Sequence, residues 1–166
     1  VNLGTTVEVP IAGTFAHGGV TYTISQFHFH TPADHSLDGK FEVMEVHFVG
    51  ASSTGAFSVA GFPIKVGNGT SNELFTNVFA NAGKIPNSGD ETPTGSLSFA
   101  GVAGHLKSNE VFEYDGYLTT PPCTEGVDWV ISTTPLTISQ EAMVLADSAI
   151  GFNARPVQNT NKANVA

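Results

Sequence analysis

The sequence predicts a mainly β domain, α+β with few short helices, built on one large, twisted, mostly antiparallel central sheet. Three observations carry that expectation. β-Branched and aromatic residues alternate with polar ones through five stretches, as strands with one buried face require. Glycine (18 residues) and proline (9) punctuate the chain from end to end. Apolar residues recur at helical spacing in only two places.

The chain opens on "VNLGTTVEVPI", read as a strand entered partway along, with no initiator Met and no leader-like segment. "GVTYTISQFHFH", "KFEVMEVHFVG", "FSVAGFPIKVG" and "GVDWVIST" follow as strands. "TSNELFTNVFANAG" reads as a helix, because Leu74, Phe75, Val78 and Phe79 share one face and Gly83 can end it. "ISQEAMVLADSAIG" reads likewise, with Ser139 as its cap and Gly151 as its stop. "GKIPNSGDETPTG" is a loop, and His17 and His105 are read as loop histidines. No internal repeat or linker divides the chain.

With 166 residues the chain fits one domain with a sizeable core. Fifteen acids against six bases give a formal charge of −9, and the bases are scattered. That excludes a nucleic-acid or anionic-membrane surface, and no apolar run reaches the length of a membrane span. Cys123 is the only cysteine, and by itself it reads equally as a small buried hydrophobe. "NGT" at 68–70 fits an N-glycosylation acceptor at Asn68, relevant only to a secreted protein.

The chemistry concentrates in "FHFHTPADH" at 27–35. Side chains on a strand alternate faces, so His28 and His30 share one face while Phe27 and Phe29 share the other. On the strand "FEVMEVHFV", Glu45 and His47 also share a face. If the two strands are neighbours, His28, His30 and His47 converge. Three imidazoles with an open fourth position are a common catalytic zinc site. Gln26 precedes His28, and Glu45 precedes His47, by two residues on the same face. Each offers an acceptor for the ring N–H that a metal-bound imidazole must place. A His-x-His pair on a strand is about as often a solvated pair holding no metal. The cupin barrels also carry His-x-His with a nearby carboxylate, which Asp34 would supply, but their second motif is missing.

"GYLTTPPCTEGVDWVI" (116–131), together with "QFHFHTPADH", "MEVHFV" and "NARPVQ" (153–158), resembles the α-class carbonic anhydrases. The matching blocks run from about residue 20 to 158 in family order, within a single domain at 1–166 that lacks the family's N-terminal segment. The resemblance implies Zn2+ on His28, His30 and His47, supported by Gln26, by Glu45 and by the Asn153 backbone carbonyl toward His30. It implies that Thr119 orients the attacking oxygen and passes its own proton to Asp34, with Thr120 beside it. Val49, Val59, Leu118, Val127 and Trp129 match the apolar wall where carbon dioxide sits, although most would be core residues in any case. His35 and Tyr114 match structural partners near Glu45.

The implied reaction is the reversible hydration of carbon dioxide to bicarbonate and a proton. Sulfonamides and anions are the expected inhibitors. The alternative is a non-catalytic binding or storage protein of the same family. Four departures stand out: Asp34 replaces the usual glutamate, Tyr117 a common serine and Gly50 a frequent histidine, and the segment carrying the shuttle histidine is missing. That segment also carries the cysteine that would pair with Cys123. A disulfide-linked N-terminal segment and a homodimer are therefore the expected protein partners, and the expected location is oxidising, extracellular or periplasmic.

Overall fold

The structure is a computed structural model, and it describes residues 1–68 and 71–158. Its strands are β1 (Glu8–His17), β2 (Val20–His30), β3 (Ser36–Leu37), β4 (Lys40–Phe41), β5 (Met44–Ser52), β6 (Phe57–Val66), β7 (Val111–Tyr117), β8 (Glu125–Ser132) and β9 (Leu136–Ile138). The helices are α1 (Glu73–Phe79), α2 (Ala100–Ser108) and α3 (Gln140–Ile150), with a 3-10 turn at Ala82–Lys84. The central sheet runs β1-β2-β5-β6-β8-β7, with β9 also pairing to β6. All of its pairings are antiparallel except β6 with β8 and β6 with β9. The sheet is therefore mixed but mostly antiparallel, as the alternation predicts.

Register decides what each face carries. His28 lies opposite His47 and His30 opposite Glu45 on β2 and β5, while His47 faces Gly61 and Val49 faces Val59 on β5 and β6. Val59 in turn faces Trp129 on β8. Because side chains alternate, the intervening residues Phe27, Phe29, Val46, Phe48, Ala60 and Phe62 all point to the opposite face. They join Leu74, Phe75, Val78 and Phe79 of α1 and Ala142, Ala146 and Ile150 of α3 in one core. Phe27 and Phe29 are fully buried there, their rings edge-to-face at 5.7 Å. The phenylalanines of "FHFH" thus bolt the helices to the back of the sheet and leave the histidines to the front.

Local signals set most ends. Asn72 caps α1 by accepting from the Leu74 N–H, and Ser139 caps α3 by accepting from the Ala142 N–H. Gly151 ends α3 with φ +64°, a conformation glycine adopts without a Cβ penalty. The β3–β4 hairpin turns on Asp38-Gly39, both at positive φ, the backbone that a two-residue turn of this kind requires.

Four expectations need correction. Residues 1–7 are not a strand: Asn2 bridges Val7, and its buried side chain donates to the Ile85 carbonyl. α1 ends at Phe79, and Gly83 falls in the 3-10 turn instead of ending the helix. His105 lies inside α2 and His17 ends β1, so neither is a loop histidine. β7 and α2 were not anticipated. Among the described residues no helix is long and apolar enough to cross a membrane.

Candidate metal centre

The front face of β2 and β5 brings His28, His30 and His47 together, with one ring nitrogen of each within 4.8 Å of the others. The three rings lie 4.6–5.4 Å apart between centroids. Gln26 Oε1 holds His28 Nδ1 at 2.9 Å, and Glu45 Oε1 holds His47 Nε2 at 2.8 Å. Those contacts leave His28 Nε2 and His47 Nδ1 for the site. His30 is 3% exposed, and neither of its ring nitrogens has a hydrogen-bond partner. Buried polar atoms are nearly always paired, so an orphaned imidazole among two others asks for a ligand.

Electrostatics agree. Burial, then the neighbouring His47 and His30, push His28 down to about 2. Burial and His47 push His30 down to about 4, against Asp34, Glu45 and the Asn153 backbone. Both imidazoles are therefore neutral at physiological pH, the form that binds a metal. The donor set is all nitrogen with no thiolate, which suits zinc. The residues present fit that ion.

Behind His47 sits a fully buried carboxylate. Burial alone would raise Glu45, but His35 and His47 hold it well below the usual carboxylate range. His35 donates its backbone N–H to Oε2 at 2.9 Å, and its Nδ1 meets Oε1 at 2.6 Å. Burial alone would depress His35; the Glu45 carboxylate raises it instead. His35 Nε2 then meets the Tyr114 hydroxyl at 2.6 Å, so Tyr114 joins the stack behind Glu45 through His35. Gly61 makes room for this stack. A Cβ there would meet Ile131 Cδ1 at 2.5 Å, Glu45 Oε1 at 3.1 Å and His47 Cδ2 at 3.5 Å.

The expected apolar wall is a physical unit. Val59, Val127, Trp129 and Ile131 form one buried cluster, with Val49 and Leu118 packed against it. Trp129 donates its indole N–H to the Tyr117 carbonyl at 3.1 Å, which ties the 117–124 turn to the wall. Thr119 is half-buried in that turn and Thr120 is exposed.

Two expected contacts are not made. No hydrogen bond joins Thr119 to Asp34: Asp34 Oδ1 accepts from the Arg155 backbone N–H at 2.8 Å, and Oδ2 is buried without a partner. Aspartate is one methylene shorter than the glutamate usual here, and its carboxylate stays on the side of the 153–155 segment. Nor does the Asn153 carbonyl, although close enough to raise His30, reach full hydrogen-bond geometry with its ring. His30 Nδ1 instead lies 3.3 Å from Asp34 Oδ2, in a geometry short of a hydrogen bond.

Cys123 is a free thiol, 3.9 Å from Arg155 Nη1, and this chain holds no second cysteine to bond it. Asn68 is exposed after β6, while Gly69 and Thr70 of its triplet lie outside the described residues. His17 and His105 are engaged elsewhere, with Asp128 and Glu113 and with the Thr134 carbonyl respectively.

Sequence reasoning missed Arg155 and Gly61. Arg155 was inside a quoted block, but nothing local tells that its N–H serves Asp34 or that its guanidinium lies 4.9 Å from the Tyr117 ring centre. A lone glycine inside the β-rich "FSVAGFPIKV" was the available signal for Gly61, since it marks close approach. A cleft of about 840 Å3 is lined among others by Asp34, His35, Tyr114, Tyr117, Thr119 and Arg155, and by none of the three triad histidines.

The family described as eukaryotic-type carbonic anhydrase matches residues 1–166. The chain is 31% identical over 164 residues to a carbonic anhydrase of Pectobacterium carotovorum, covering 97% of this chain and 65% of that one. It thus spans just under two thirds of that curated relative. Among solved structures, a fungal α-carbonic anhydrase from Aspergillus oryzae superimposes with a TM-score of 0.92 at 40% identity, over 96% of this chain and 68% of that one. An α-carbonic anhydrase from Thermovibrio ammonificans, in complex with the inhibitor sulfanilamide, gives 0.85 at 32% identity, over 97% and 70%. With a family match along its whole length and the histidine triad at the centre of its sheet, the chain belongs to the eukaryotic-type, or α, carbonic anhydrase family.

Proposed function

We propose that this domain carries out zinc-dependent, reversible hydration of carbon dioxide to bicarbonate and a proton. The observation that carries the reading is the triad itself: three converging histidines, of which burial holds His28 and His30 neutral, with the outer nitrogens of His28 and His47 already held by Gln26 and Glu45. Bound by His28, His30 and His47, zinc supplies the Lewis acidity with which carbonic anhydrases make water nucleophilic at neutral pH.

The chain's own residues do the rest. Gln26 and Glu45 fix the tautomers, so that each ring offers the site a lone pair. The cluster of Val59, Val127, Trp129 and Ile131, flanked by Val49 and Leu118, offers a nonpolar gas a surface that demands no hydrogen bonds. Thr119 orients the attacking oxygen. In this reading its hydroxyl donates a hydrogen bond to Asp34 Oδ2, the buried oxygen without a partner, once the two close a contact that the structure leaves open, and Thr120 stands beside it.

The secondary proposals are an oxidising, extracellular or periplasmic location, a glycan on Asn68, a homodimer, and Cys123 as half of a disulfide to a cysteine outside this chain. The half-buried free thiol supports the last. Intact mass of the full-length protein, with and without reductant, tests it.

Metal analysis combined with a carbon dioxide hydration assay, with and without a sulfonamide, tests the main reading. One equivalent of zinc and sulfonamide-sensitive turnover are expected. A preparation that neither holds nor can be reconstituted with zinc overturns it in favour of a binding protein.

A further inference from the structure

The last residues of β2 lose their strand partner at the place where the metal ligand sits. β1 pairs with β2 only as far as Glu8 opposite His28. On the outer edge the Thr6 hydroxyl takes the Phe29 N–H at 3.2 Å and donates to the Phe29 carbonyl at 2.6 Å, but the Thr31 peptide groups have no strand partner, an expensive state for groups that are cut off from water. The chain fills the gap from a segment more than a hundred residues away. Asn153 Nδ2 donates to the Phe29 carbonyl at 2.9 Å, and Asn153 Oδ1 accepts the Thr31 N–H at 2.7 Å. The same Nδ2 also donates to the Thr5 carbonyl at 2.7 Å, and the Asn153 backbone N–H donates to the Thr31 carbonyl at 3.0 Å. One carboxamide therefore grips the peptide groups on both sides of His30, as a neighbouring strand would.

We infer that the Asn153 side chain is a positioning residue for His30, a role separate from that of its backbone carbonyl. His30 needs it most of the three ligands. Gln26 and Glu45 hold the rings of His28 and His47, whereas neither nitrogen of the His30 ring has a partner. The direction of the His30 ring is consequently set through its backbone, and the carboxamide fixes that backbone. Only asparagine, or a residue of the same length with a donor and an acceptor, can serve a carbonyl and an N–H at once.

The inference rests on zinc binding at the triad, and the test separates the two. Zinc affinity is measured by chelator competition on wild type, Asn153→Ala, Asn153→Asp and a core control, Val78→Ala, and the visible absorption of each cobalt-loaded protein is recorded. Amide exchange of Thr31 is followed in wild type. Expected results are an affinity loss of about tenfold to a hundredfold for both Asn153 variants, an altered cobalt spectrum, and unchanged affinity in Val78→Ala. Asn153→Asp keeps the acceptor for Thr31 but puts carboxylate oxygen against two carbonyls, so it is expected to be no better than alanine. Affinity within twofold of wild type and an unchanged cobalt spectrum in Asn153→Ala overturn the inference, as does free exchange of the Thr31 amide in wild type, a result that needs no variant to fold. Failure of wild type itself to bind zinc overturns the parent reading instead.

Discussion

Replacing Asp34 separates the contact that its Oδ1 makes from the catalytic role proposed for its Oδ2. Oδ1 accepts the Arg155 backbone N–H at 2.8 Å, and Oδ2 is buried with no partner. Asp34→Ala removes both oxygens and leaves the Arg155 N–H unpaired. A hydrogen bond to a charged group contributes about 1.5–3 kcal/mol. With a urea dependence of about 2 kcal/mol per M for a chain of this size, the unfolding midpoint should fall by about 1 M. Asp34→Asn keeps an oxygen for Arg155 at the same length, so it should recover most of that loss. It cannot recover the role proposed for Oδ2, because its amide presents a donor where the Thr119 hydroxyl needs an acceptor. If Oδ2 takes that proton, losing about 1.5–3 kcal/mol there means about a tenfold to hundredfold fall in kcat/KM, in both variants and at full zinc content. Urea denaturation and stopped-flow hydration on metal-quantified protein give the two readings. Equal stability of Asp34→Asn and Asp34→Ala refutes the assignment of Oδ1. Wild-type kcat/KM in Asp34→Asn refutes that of Oδ2.

The metal-free protein should lose stability as pH falls from neutral. His28 and His30 are held below their ordinary values when folded, so the unfolded chain takes up protons first, from about pH 6.5 downward, and stability is lost in that direction. Glu45, also depressed, adds to the loss from about pH 4.5 downward. Urea midpoints flat between pH 7.5 and 5 contradict this. Gly61→Ala should cost about 1–3 kcal/mol through overpacking and weaken zinc binding, since the new methyl meets Ile131, Glu45 and His47. Adding Ile131→Val removes the nearest atom and should restore stability; thermal melts and chelator competition report each effect.

Much of the site was legible in one dimension because period two is a local property. "FHFH" alone fixes that two histidines share a face and two phenylalanines take the other, and Gln26 and Glu45 follow from the same spacing. Helix caps at Ser139 and Gly151 are equally local and came out as read. α2 escaped notice because Gly101 and Gly104 dilute its pattern and only Val102 is buried along it. β7, "VFEYDGY", has the alternation of a strand, yet it was overshadowed by the motif that follows it.

What the linear pattern could not decide was distance across the fold. Register placed His47 opposite His28, and packing chose Arg155 over Thr119 as the partner of Asp34. The grip of Asn153 on Thr31 joins residues 122 positions apart. A difference of one methylene, or an edge left open where β1 stops, changes which atoms meet without changing any residue pattern. The sequence by itself determined which side chains share the front face of the sheet; the tertiary structure decided which atoms hold them there, because hydrogen bonds depend on separations of a few tenths of an ångström between segments that only folding brings together.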